Sequence, residues 1–203
     1  MWNRATLLLL AACAITPVAV AAQDDLSADF RAAHEQYAAG QPRQAANTLL
    51  RSTLYIRQQV GRSTDEVVGM QLLNAESELE KLAFAMREGR GGSLERVDAA
   101  LVRIDRLLAQ HHVQTARGAI GKRGEDATLI ARDISRGALH FERTFTLIGS
   151  APTGDAATVL ADVRALAGEI DRTRTIPKTA VATLTVFERQ ILGTTVVVAS
   201  GSR

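Results

Sequence analysis

Apolar residues recur at every third or fourth position along most of the chain, the spacing that buries one face of an α-helix. The first predicted helix runs from Asp25 to Ala39, with Leu26, Phe30, Ala33 and Tyr37 on one face. Gly40 stops it and Pro42 opens the next, the usual placing of glycine just past a helix end and proline just inside a start. The second carries Ala46, Leu49, Thr53, Ile56 and Val60 and ends at Gly61. Ser63-Thr64-Asp65-Glu66 reads as a capping box. It opens a third helix to Arg87, with the stripe Val68, Leu72, Ala75, Leu79, Leu82 and Met86. Gly89–Gly92 interrupts the pattern. Ser93 is the predicted cap of a fourth helix, striped by Leu94, Val97, Leu101, Ile104 and Leu108, that reaches Ala116 or beyond.

Gly118, Gly121 and Gly124 mark a join. A fifth helix follows with Ala127, Ile130, Ile134, Ala138, Phe141, Phe145 and Ile148, and a sixth with Ala156, Leu160, Val163, Ala167 and Ile170. Thr175-Ile176-Pro177 is the predicted start of a seventh, carrying Ala180, Leu184, Phe187 and Ile191. Stripes of this kind with short joins predict an all-α fold, an antiparallel bundle or short helical array of about seven helices. The expected division is a signal peptide over 1–22, one helical domain over 23–192 and a frayed tail over 193–203. The tail's Thr194–Val198 favours strand but finds no partner strand in the pattern.

The N-terminus changes the picture most. Arg4 precedes an apolar stretch from Ala5 to Val20, and Ala19-Val20-Ala21 fits the small-residue cleavage pattern before polar Gln23-Asp24-Asp25. This predicts export, with the mature chain beginning at Ala22 or Gln23 and residing in the periplasm or outside the cell. Leu10-Ala11-Ala12-Cys13 also resembles a lipobox. That alternative would anchor the protein through a lipidated Cys13 and is the one route to peripheral membrane association. Cys13 is the only cysteine, so cleavage leaves a chain that must be held by packing without disulfides.

Composition agrees with helices. Aromatic residues make up only 4% of the chain, so the core must come from Leu, Ala, Ile and Val, which suits helix-on-helix packing. The net charge is +2 with acids and bases intermixed, and no basic stripe interleaved with aromatics points to nucleic acid.

The spacing Ala33, Gly40, Ala45, Leu49 resembles half of a tetratricopeptide repeat, in which small residues let two helices pack closely and a glycine makes the turn. The resemblance covers the first helix pair only. Asp29 stands where that family has a large apolar residue, and no second copy follows 34 residues on. It implies helix-hairpin geometry and no ligand. Separately, His34-Glu35-Gln36-Tyr37 through Leu49 can be laid, with gaps, on His140-Phe141-Glu142-Arg143 through Leu160. An internal hairpin repeat is therefore an option, although glycine–proline joins recur for local reasons as well.

Candidate chemistry rests on the histidines. His34 shares the core side of the first helix with Phe30, His111 continues the stripe of the fourth, His112 follows Leu108 by one turn, and His140 precedes Phe141. Imidazoles inside a helical bundle are familiar ligands of transition metals and haem iron. His34, His111, His112 and His140 are accordingly the candidate metal ligands. No His-x-x-x-His, Glu-x-x-His or Cys-x-x-Cys-His pattern accompanies them, and side chains of adjacent helical residues diverge by about 100°, so the simpler expectation is that each is satisfied by a carbonyl or carboxylate. Glu76, Glu78 and Glu80 form an acidic cluster, expected to be a solvated face with local pairs to Lys81 and Arg87. No serine sits on a strand-to-helix elbow, and the Gly118–Gly124 run lacks the strand of a phosphate loop. The sequence thus predicts no catalytic residues and no cofactor. It predicts an exported, non-enzymatic module that binds a protein or envelope component. A metal- or haem-binding periplasmic bundle is the alternative.

Overall fold

The computed structural model describes residues 22–194, and all the regular structure among them is helical. The seven helices are α1 (Ala22–Ala38), α2 (Pro42–Val60), α3 (Glu66–Arg87), α4 (Leu94–Ala119), α5 (Ala127–Thr146), α6 (Gly154–Thr173) and α7 (Ala180–Gly193). Residues 1–21 of the expected signal peptide, Cys13 among them, and the strand-prone Thr195–Val198 lie outside the described residues. Among the described residues no helix is long and apolar enough to cross a membrane.

Each helix packs on the next in sequence, and α4 in addition touches α1 and α7. That makes α4 the axis of the molecule. Its 26 residues span about 39 Å at 1.5 Å each. Its N-terminal part, through Leu108, packs with α1–α3 around Phe30, Leu49, Leu72 and Met86. From Ala109 on it belongs to a second apolar cluster with α5–α7, centred on Ile134, Phe141, Val163 and Phe187. In that cluster Phe141 meets Phe145 and Phe187 edge-on, with ring centres 5.3 Å apart in both pairs. The predicted stripes supply the core, with Leu72, Leu79, Leu101, Leu108, Ile134 and Leu184 all fully buried, while Val60, Leu94 and Ile148 at the stripe ends are half-buried.

The helix ends differ from expectation in ways that trace to single side chains. At α3 the cap is Asp65, whose carboxylate accepts from Val68 N at 3.1 Å. Ser63 instead donates to Asp65 O, so the predicted Ser63–Glu66 box is not formed. Ser93 does precede α4 but makes no side-chain cap. α7 begins at Ala180 because Pro177 takes part in a preceding turn, with Ala180 N bonded to Pro177 O. α6 ends on Arg174 in the left-handed region at φ 55, stabilised by bonds from its guanidinium to Asp171 and Thr128.

The α1–α2 and α5–α6 hairpins close in the same manner. Gly40 N bonds to Tyr37 O and Gln41 N to Gln36 O; Gly149 N bonds to Thr146 O and Ser150 N to Phe145 O. This is the Schellman closure, and both glycines have φ +73 as it requires. α3 ends identically through Gly89 and Arg90. The likeness of the hairpins at their turns is therefore helix-ending chemistry common to three helices.

Gly137 decides how closely α5 approaches α4. A Cβ there would stand 3.0 Å from Val113 Cγ2 and 3.3 Å from Ala109 O, so its absence lets the two backbones come together. Ile104 tests the phase of α4. It is 1% exposed, whereas its neighbour Arg103 is exposed and pairs with Glu78 at the surface. Ile104→Asp is expected to lower stability by about 3 kcal/mol or more, the cost of burying a polar group without partners. Arg103→Ala should cost at most about 1 kcal/mol. Equal losses in chemical denaturation would mean the helix phase is wrong.

Candidate functional site: a carboxylate–imidazole ladder on α4

The feature that stands out in the core is polar. Asp98, Asp105 and His112 lie seven residues apart on α4, beside the apolar stripe, and all three are buried. Seven residues is nearly two helical turns, so they form a line about 10 Å between members, facing the neighbouring helices. Each is joined to a residue of another helix. Asp98 accepts from His34 Nδ1 of α1 at 2.6 Å, and Asp105 from His140 Nδ1 of α5 at 2.9 Å. At the third rung the polarity is reversed, and His112 Nδ1 bonds to Asp133 of α5 at 3.3 Å. An ionised carboxylate only accepts, so in every pair the imidazole donates from Nδ1, which fixes the tautomer with Nε2 as the unprotonated atom when the ring is neutral.

The middle rung is the most enclosed. Asp105 is fully buried, and its Oδ1 is also 3.5 Å from Arg143 Nη1. The Arg143 guanidinium lies over the Phe30 ring at 5.2 Å and contacts Leu26 O at 3.4 Å. The His140 and His112 rings stack nearly parallel with centres 5.6 Å apart, a contact that the close approach at Gly137 permits. His111 meets His112 edge-on at 5.1 Å, and Tyr55 of α2 closes the other side of His140 at 6.5 Å.

Burial governs the charge states here. It pulls His111 and His112 down to about 4 and His140 down as well, outweighing the hydrogen bonds from His112 to Asp133 and from His140 to Asp105. The same desolvation pushes the Tyr55 phenol up and the Arg143 guanidinium down. The three central imidazoles are therefore neutral at pH 7.

Three of the four candidate histidines, His111, His112 and His140, thus converge, although adjacent positions 111 and 112 diverge on an ideal helix; His140 bridges the difference by stacking on His112. His34 sits apart at the Asp98 rung. Among the described residues no group of three or more His, Cys, Asp or Glu is placed to hold a metal ion. The Nδ1 atoms of His112 and His140 each face a different carboxylate, and their rings lie as parallel plates.

The acidic cluster on α3 is a solvated face at Glu78 and Glu80 but not at Glu76, and its pairs reach the neighbouring helices. Glu76 is 3% exposed and pairs with Arg57 of α2, which also reaches Glu80, while Glu78 pairs with Arg103 of α4. These contacts tie α3 to both neighbouring helices. The partners Asp98, Asp105, Asp133, Tyr55 and Arg143 were not singled out from the sequence. A signal was present, because Val97-Asp98, Ile104-Asp105 and His111-His112 repeat an apolar-or-aromatic plus polar pair at a seven-residue interval.

No family model, no curated protein and no solved structure matches the chain.

Proposed function

We propose that this is an exported, non-enzymatic helical module that binds a protein partner through the outer face of α3. The observation that carries this reading is a second apolar stripe on that helix. Met70, Leu73 and Phe84 lie on the side opposite to Val68, Leu72, Leu79 and Met86, with the polar Ser77 between Leu73 and Phe84. Met70 is 52%, Leu73 41% and Phe84 53% exposed, and Val67 beside them 66%. Single exposed apolar residues need no explanation, but several aligned on one helix face mark an interaction surface. A partner helix with its own apolar stripe would cover such a face, in the manner of helix–helix docking. The α4 ladder suits a scaffold role: its polar groups are directed at one another across α1, α4 and α5, and so fix the register of the helices that present α3.

Crosslinking in the periplasm of the source cell, followed by mass spectrometry, tests this reading. The native chain is expected to be recovered with the intact mass of a protein beginning at Ala22 or Gln23. It should crosslink to a defined protein, and Leu73→Glu/Phe84→Glu should abolish the crosslink with the melting temperature unchanged. A retained crosslink removes the α3 face from the reading. A mass that includes residues 1–21, or a lipid adduct on Cys13, removes free export. The convergence of His111, His112 and His140 is what favours the second reading, a metal- or haem-binding bundle. Stoichiometric metal or a haem absorbance in untagged protein, lost on His112→Gln, would replace the first reading with it.

A further inference from the structure

Arg143 has a second side. Besides facing Asp105 it lines a surface pocket of about 280 Å³ between α1 and the C-terminal turn of α5, together with Arg31, His34, Thr146, Leu147 and Gly149. The volume is near the lower end of the usual range for ligand pockets, about 300–1,000 Å³. No carboxylate lines it. The two that stand behind its basic residues are engaged through one oxygen each, Asp98 Oδ1 with His34 and Asp105 Oδ1 with both His140 and Arg143, while Asp105 Oδ2 makes no hydrogen bond among the described residues.

The two guanidiniums differ in a useful way. Arg143 has a side chain only 9% exposed, its guanidinium over the Phe30 ring, and its contacts to Asp105 and Leu26 O are long, at 3.5 and 3.4 Å. A guanidinium carries five N–H donors in a rigid fork, and these two contacts leave donors that can serve the pocket it lines. Arg31 is exposed, makes no ion pair among the described residues, and is close enough to Arg143 for its charge to disfavour the second one. Two like charges facing a small concavity, one fixed and one free to close over it, are a receptor for an anion. The α5 terminus does not oppose this strongly. The carbonyls of Arg143, Phe145 and Thr146 are taken by the amides of Leu147, Ile148 and Gly149. Leu147 supplies an apolar wall.

We propose that this pocket binds a small organic carboxylate, its two oxygens on the fork of Arg143, Arg31 closing from the rim, and a short alkyl portion against Leu147. Planarity favours a carboxylate on a guanidinium fork, and the apolar wall favours one with a short hydrocarbon chain over a bare inorganic anion. The site is independent of the α3 face, and the two can fail separately.

Titration calorimetry of the full chain with butyrate, at constant ionic strength set by chloride, tests the proposal. Saturable one-to-one binding is expected. Arg31→Gln should weaken it at least tenfold without moving the melting temperature, since Arg31 supports no ion pair among the described residues. Arg143→Lys, which keeps the charge and loses the fork, should weaken it further. Arg172→Gln on the exposed end of α6 and Leu73→Glu/Phe84→Glu on α3 should leave it unchanged. Absence of saturable butyrate binding, equal binding by Arg31→Gln, or saturation by inorganic phosphate with butyrate silent would overturn the proposal. Arg31→Gln keeps the test decisive if Arg143→Lys fails to fold.

Discussion

Asp105→Ala is expected to lower the unfolding free energy by about 3–5 kcal/mol, the cost of removing one partner from a buried ion pair. That would be a large part of the 5–15 kcal/mol typical of a folded domain. Two losses combine. His140 loses the acceptor of its Nδ1–H at 2.9 Å, and Arg143 is left without the carboxylate opposite its buried charge. Asp105→Asn should fall between wild type and Asp105→Ala, because an amide oxygen can still accept from His140 while the charge facing Arg143 is gone. Replacing the whole rung distinguishes the loss of this pair from a general intolerance of change. In Asp105→Leu/His140→Leu/Arg143→Met no polar group is stranded, and stability should return most of the way toward wild type. Glu78→Ala, which breaks an exposed pair with Arg103, should cost at most about 1 kcal/mol. Urea denaturation of the four variants reads all of this. A loss under 1 kcal/mol in Asp105→Ala would mean that the rung is hydrated and Arg143 balanced by water.

The fold was legible because helical burial leaves a periodic trace that survives any detail of packing. Ile134, Ala138 and Phe141 must face one way whatever lies opposite them, and they do. Helix ends were less legible, since Ser63, Asp65 and Glu66 all have capping chemistry and the backbone entry angle chooses among them. The choice of Asp65 appears only when Val68 N is seen to point at it. The ladder was half legible. Each histidine was a visible candidate, and a carbonyl or carboxylate partner was the simpler expectation for each; His34, His112 and His140 have a carboxylate. Which carboxylate depends on the rotation of α1 and α5 about α4, a tertiary quantity. Asp98 and Asp105 are next to Val97 and Ile104 in the stripe, so in sequence they read equally well as the edge of the solvated face. Gly137 hides in the same way, because a glycine inside a helical pattern shows its purpose only when the opposing Val113 and Ala109 are known. The Arg31–Arg143 pocket could not be read at all, since its halves are separated by most of the chain.

The second large effect expected is acid destabilisation well above the pH at which carboxylates titrate. His111 and His112 are held at about 4 in the folded state by burial, against an ordinary value of 6.5. A folded-state value below the unfolded one means that the unfolded chain binds the extra protons between those two pH values. Stability is then complete above pH 6.5 and declines as the pH falls toward 4. Each such histidine contributes a slope of at most about 1.4 kcal/mol per pH unit. From pH 7 to pH 5 the pair should remove about 4 kcal/mol, and His140, also lowered, adds in the same direction. The groups that face these rings are of both signs. Asp133 and Asp105 would welcome a proton on their imidazole partners, while Arg62, Arg136, Arg143 and the other histidines oppose it. Desolvation is the larger cause at each of the three and sets the sign. Melting temperatures followed by circular dichroism from pH 7.5 to pH 5 should therefore drop steadily, and His111→Gln/His112→Gln, less stable at pH 7.5, should show a flatter profile. A wild-type curve that is level across this interval would mean water reaches the rings. One that rises on acidification would mean that charged imidazole–carboxylate pairs, and not neutral stacked rings, hold α5 against α4.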